Sequence, residues 1–136
     1  TILNPKIPNP WSRDGADGDP IIILKNGQHE EDTDPWVPQV EDINTDKSSI
    51  YLTSTQAIPI EVASKSYNSY FNPPTSTDKF TGEQVILTSG RLLFNSKNDS
   101  ILLSSFSTIN LNSLESVNID SPETIVKSNK VLLGDK

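Results

Sequence analysis

In the second half of the chain an aliphatic residue returns every eight positions, an interval that neither the 3.6-residue helix nor the two-residue strand requires. Laid out in rows of eight, residues 85 to 136 place Val85, Leu93, Ile101, Ile109, Val117, Ile125 and Leu133 in one column without exception. Two places further on, the same face of a strand carries Leu87, Asn95, Leu103, Leu111, Ile119, Lys127 and Asp135, four of them apolar. The next two columns, Thr88, Ser96, Ser104, Asn112, Asp120, Ser128 and then Ser89, Lys97, Ser105, Ser113, Ser121, Asn129, are small or polar and have the chemistry of turns. Each octad therefore predicts a short strand with an apolar inner face, ended by a polar corner. The β-branched Ile and Val of the first column suit a strand better than a helix.

The period decides between architectures. A coiled coil needs seven residues, and hairpins do not demand identical octads. A single-chain β-helix with three walls would use three octads per coil, leaving little more than two coils, too few for a stable stack. Three chains wound about one axis resolve this: each supplies one wall segment per level, the strands pair between chains, and the inner aliphatic residues meet on the axis. Burial of one such side chain stabilises by roughly 1.5 to 3 kcal/mol, which multiplied over the column and three chains offsets the ordering of a narrow prism. The expected fold is thus all-β, an intertwined trimeric (triple-stranded) β-helix stem over residues 81–136. Its trimer core is Val85, Leu87, Leu93, Ile101, Leu103, Ile109, Leu111, Val117, Ile119, Ile125 and Leu133. Lys127 and Asp135 in the second inward column mark a change of winding near the end. An ordinary antiparallel sheet with evenly spaced strands is the simpler alternative.

Residues 1–80 read differently. All ten prolines except Pro122 lie before residue 75, so this region is expected to be extended, loop-rich and poor in helix. PIIILKNG, SSIYLTST and AIPIEVAS predict three strands, the first ending in the turn-forming pair Asn26-Gly27 and the last two joined by a bend at Gln56-Ala57. SYNSYFNPPTSTDKFTGEQ predicts an extended connector into the first octad. Between Gln28 and Asp46 stand seven acids and no Lys or Arg, a pattern of solvated loops, with a site for a hard cation as the sharper alternative. DGADGD at 14 to 19 reads as a turn-rich entry loop, although a trimer would bring Asp17 or Asp19 of three chains together. Trp11, Trp36, Tyr51, Tyr67, Tyr70, Phe71 and Phe80 are expected to pin loops onto the stem rather than stack ligands.

Several function classes are disfavoured by the residues themselves. A net charge of −7 and no basic patch argue against nucleic acid and anionic membranes as partners. His29 is the only histidine and reads as a solvated loop residue, which leaves no His-based relay or multi-histidine metal site within one chain. Glu30 and Asp34 lack the surrounding aromatic pattern of a glycosidase cleft. Asn98-Asp99-Ser100 is a glycosylation sequon of the kind an Asn- and Ser-rich chain produces by chance. There is no cysteine, so neither disulfides nor thiolate metal sites are expected, and no cofactor or metal is assigned. The chain is expected not to be an enzyme. No apolar run reaches the length of a membrane-spanning helix. With no methionine, even at position 1, the sequence reads as a piece of a longer one.

GDPIIILKNGQ, EDINTDKSSIYLTSTQAIPIEV, QVILTSGRLLFNSKNDSILLSS and SVNIDSPETIVKSNKVLLGDK together resemble a virion structural protein of contractile-tailed (myovirus) bacteriophages, over nearly the whole chain from about Asp17 onward. The layout is similar to that of central baseplate spikes and of the VgrG-type tips of type VI secretion systems. The resemblance implies an OB-like barrel upstream of Thr1, further sequence after Lys136, and a trimeric β-helical needle. It also implies a location in the virion at the tail baseplate, a baseplate hub and a spike-tip protein as partners, and the host cell envelope as the surface met on contraction. The octad departs from the best-known needle repeat, Val-x-Gly followed by five residues, because Gly never stands two places after the core aliphatic. The alternative from another class is a trimeric tail-fibre or adhesin stalk that binds a receptor glycan through exposed aromatics.

Overall fold

The computed structural model describes residues 19–27, 41–67 and 70–134. Trp11, Asp17, His29, Glu30, Asp34, Trp36 and Asp135 lie outside these residues. The described residues fall into two compact units, one comprising residues up to Glu61 together with Pro74–Ile101, the other Val62–Pro73 with the residues from Leu102 onward.

The first unit is built on a three-stranded antiparallel sheet of β1 (Ile21–Asn26), β2 (Ser48–Thr53) and β3 (Gln84–Ser89), in that spatial order. No α-helix occurs among the described residues; a single 3-10 turn, Ile43–Thr45, is the one helical element. The all-β class expected from the octads and prolines therefore holds, while the described part of one chain forms neither a closed barrel nor a β-helix.

The register places Ile23, Tyr51 and Ile86 side by side on one face of the sheet. Tyr51 and Ile86 are buried there with Ile43 from the 3-10 turn and Ile58, and Ile21, Ile23 and Ile60 pack against them. The turn is a local product of its sequence. The Asp42 side chain accepts the Asn44 amide at 3.0 Å, the Thr45 hydroxyl donates to Asp42 O at 2.9 Å, and Ile43 is thereby aimed into the core. Gly27 ends β1 with φ of +77°, a left-handed conformation that glycine adopts without strain, and its carbonyl accepts Lys47 N at 3.2 Å, seating the start of β2.

Two predicted segments depart from expectation. AIPIEVAS forms no strand, because Pro59 has no amide to give a ladder and the Asn44 side chain takes the ladder's place. Asn44 Nδ2 donates to Pro59 O at 3.0 Å, and Asn44 Oδ1 accepts Glu61 N at 2.8 Å. The connector before β3 is not extended throughout: the amides of Lys79 and Phe80 both donate to Ser76 O, closing a turn that the Thr77 hydroxyl ties to Ile60 O at 2.8 Å. The bend after β2 falls at Ser54-Thr55, and the fully buried Gln56 closes it from below. Its Oε1 accepts the amides of Ser54 and Thr55, and its Nε2 donates to Asp19 O at 2.9 Å. Asp19, considered above as a residue gathered on an axis, is committed to this bend, its carboxylate also accepting the Thr55 hydroxyl.

In the second unit, Asn112 holds the segment Val62–Pro73. Its amide nitrogen donates to Ser64 O and Ser66 O, and its oxygen accepts the Ser64 hydroxyl at 2.8 Å. Tyr67 and Tyr70 of that segment stack with centroids 5.2 Å apart.

Candidate functional site

From Gly90 onward the chain bends at Gly90, Asn98, Phe106, Leu114 and Pro122, each eight residues after the last. The next bend falls at Asn129, seven residues on, so the octad shortens near Lys127. The corners from Gly90 to Pro122 lie one position later than the turn columns of the sequence suggest, whereas Asn129 falls in the second of those columns. At Leu114, Pro122 and Asn129 a serine stands just before the apex and its hydroxyl reaches the backbone two residues ahead. Ser113 Oγ accepts Glu115 N at 3.3 Å across Leu114, Ser121 Oγ donates to Glu123 O at 2.9 Å across Pro122, and Ser128 Oγ bridges Asn129 in the same way. The bend at Phe106 places that side chain fully in solvent.

Between bends the segments alternate as strands do. Asn110 donates to Thr108 and, eight residues later, Asn118 donates to Ser116, both at 3.1 Å, joining side chains on one face. Ile109 and Leu111, and likewise Val117 and Ile119, occupy the opposite face. Yet residues 90–134 form no backbone–backbone hydrogen bond with any described residue, and every one of them is exposed. A strand-like backbone carrying apolar side chains and unpaired amides is an open template for other strands.

All eleven residues of the expected trimer core are exposed, from 42% for Leu87 to 89% for Leu133. Only Val85 and Leu87 belong to a strand paired within the chain. They open onto a surface that sequence reasoning missed. The register sets Ile22, Leu52 and Val85 in one row and Leu24, Ile50 and Leu87 in the next, six aliphatic side chains on the face of the sheet opposite Tyr51. Each is between 37% and 63% exposed. The available signal was the uninterrupted IIIL of β1 and the Ile-Tyr-Leu of β2, strands apolar on both faces, which is the pattern of a sheet covered on both sides. One end of this face deepens into a groove of about 450 Å³ where Leu24, Ile50 and Leu87 meet Leu92, Leu93 and Phe94. Of the large apolar residues described, 24 are exposed against four buried, the reverse of a self-sufficient domain.

A polar cluster lies at the other face of the sheet. Lys25 Nζ donates to Glu41 Oε2 at 2.6 Å, and the Tyr51 hydroxyl donates to Glu41 and approaches Asp46 Oδ2 at 3.4 Å. Glu41 and Asp46 are thus tied into this cluster and are not the solvated acids expected of the acidic run, Asp42 stays exposed while it caps the 3-10 turn, and the run's other four acids lie outside the described residues. Burial pushes the Glu41 carboxyl up, but the Lys25 and Tyr51 hydrogen bonds and the Lys25 charge outweigh it and hold the group below its ordinary value. Asp46 is raised by burial and by the Glu41 charge, and burial, reinforced by the same two carboxylates, pushes the Tyr51 phenol far above its usual value. Among the described residues no group of three acids or histidines is gathered as a metal site.

The aromatics divide. Tyr51 is the centre of the core, whereas Phe71, expected to pin a loop, is 96% exposed beside a groove lined by Tyr70, Asn72, Ile109 and Asn110.

Comparison with protein-family models, with curated proteins and with solved structures returns no match.

Proposed function

We propose that residues 81–136 form one wall of a homotrimeric, intertwined β-prism. On this reading the protein is a structural component of a phage contractile tail, a rigid spike segment at the baseplate centre used in penetrating the host envelope. The observation that carries it is the run of octads itself: extended segments, bent every eight residues, with unpaired backbone and a column of exposed aliphatic residues. Pairing with two further copies satisfies the amides and carbonyls, covers Leu93, Ile101, Ile109, Val117, Ile125 and Leu133, and closes the strand edges against aggregation. A rod under axial load needs this continuous interchain bonding and no pocket. The chain acts through rigidity and not through catalysis, with a baseplate hub and a tip protein as its neighbours.

Sedimentation equilibrium tests the assembly: three times the chain mass is expected, and a monomer overturns the prism. Immunogold labelling of virions tests the place, with label on the tail axis at the baseplate as the expected result.

The second reading, a trimeric fibre or adhesin stalk that binds a receptor glycan, is favoured by the exposed Phe71 beside Asn72 and Asn110. Label on peripheral fibres would select it over the spike.

A further inference from the structure

We propose that the open aliphatic face of the three-stranded sheet is itself an assembly surface, occupied by the same face of two further copies of this chain on the axis used by the octads. This rests on the trimeric reading above and extends it to a part of the molecule outside the octad run. Ile22, Leu24, Ile50 and Leu52 belong to strands that no octad predicts, and they join Val85 and Leu87 into a two-by-three aliphatic array without a charged residue. At the exposures observed the array presents on the order of 500 Å² of apolar surface, the size at which a patch on a soluble protein marks an interaction site.

Continuity identifies the occupant. Val85 and Leu87 are the first members of the two inward columns, so β3 is both the third strand of the sheet and the first segment of the repeat. The groove in which Leu24, Ile50 and Leu87 meet Leu92, Leu93 and Phe94 carries the apolar surface of the sheet onto the next octad within the same unit. Whatever meets Leu93 therefore also meets Leu24 and Ile50. If Leu93 faces an axis shared by three copies, the sheets converge on that axis as three walls and form a wider collar at the start of the prism. A charged or strongly polar partner is a poor match, since the six-residue array itself offers it no hydrogen-bonding side chain; these begin at the rim row of Asn26, Ser48 and Ser89, where the two serine hydroxyls already bond each other at 2.7 Å.

The test is the concentration at which the trimer dissociates, measured by sedimentation on the whole chain for Leu52→Asp, Leu24→Ser and Ile109→Asp, with circular dichroism as the check on folding. Leu52→Asp is expected to raise the dissociation midpoint roughly a hundredfold, the loss of a buried leucine's transfer free energy in each copy. Leu24→Ser, milder and on the edge strand, is expected to raise it roughly tenfold and keeps the test decisive should the Asp variant not fold. A trimer whose dissociation is unmoved by both variants overturns the collar and leaves the prism standing. A lowered melting temperature without a shift in dissociation also overturns it, because the cover then comes from the same chain. If Leu52→Asp dissociates the assembly while Ile109→Asp does not, the collar stands and the octad prism falls. A monomeric wild type removes both.

Discussion

Ser113 and Glu115 meet across the bend at Leu114, the serine hydroxyl accepting the glutamate amide at 3.3 Å. The hydroxyl is spent on the backbone, so position 113 lies outside the apolar column that contains Ile109. Aspartate shares serine's ability to accept an amide two residues ahead. Ser113→Asp is therefore expected to assemble as the wild type does, whereas Ile109→Asp would set three like charges together on the proposed axis and prevent assembly. Light scattering distinguishes them, and a normal trimer from the Ile109 variant would sink the model.

Closure of strand edges between chains predicts kinetic stability. The assembled protein should migrate as a trimer in detergent gels loaded without heating and as a monomer after boiling, since dissociation must break many interchain hydrogen bonds together. Monomer migration at room temperature would count against closed edges.

Gln56 is buried and saturated, holding the amides of Ser54 and Thr55 and the carbonyl of Asp19. Gln56→Leu keeps the volume and strands those three groups, so a loss of about 3 kcal/mol is expected, from the cost of buried unsatisfied polar groups. Urea unfolding with an unchanged slope and a lowered midpoint is the signature. An unchanged midpoint would mean that water reaches the bend.

The Glu41 and Asp46 carboxylates pull stability in opposite directions with pH. Glu41, held below its ordinary value, contributes stability that is present above the ordinary carboxylate range and lost as pH falls through its lowered value. Asp46, raised, has the opposite sign: stability declines as pH rises from the ordinary aspartate range through its raised value. At neutral pH Glu41→Gln should cost about 1 to 3 kcal/mol through weakened bonds to Lys25 and Tyr51. Asp46→Asn should gain up to about 1 kcal/mol, a gain that vanishes in acid where the wild-type carboxyl is protonated. Thermal melts across this pH range check both signs. A destabilised Asp46→Asn at neutral pH would show that its attraction to Lys25, 4.0 Å away, outweighs its burial.

The amino-acid sequence by itself determined the period of the second half. The aliphatic column from Val85 to Leu133 and the Ser and Asn columns beside it are local signals, the bends from Gly90 to Pro122 keep that period, and at Leu114 and Pro122 a serine bond acting over two residues holds the bend. β1 and β2 were equally readable, as runs of β-branched residues bounded by turns. Which residue forms each corner was not readable, since a hydroxyl two places from its partner looks the same in sequence whether it forms the bend or flanks it. Nor was the fate of AIPIEVAS, which depends on an amide from Asn44 that lies 15 residues before Pro59. The tertiary structure alone decided that Tyr51, and not the octad column, is the buried centre of a single chain. It alone decided too that Ile22, Leu24, Ile50 and Leu52 share a face with Val85 and Leu87. Strand order and register are set by contacts distant in sequence, and only they turn separate apolar residues into a surface.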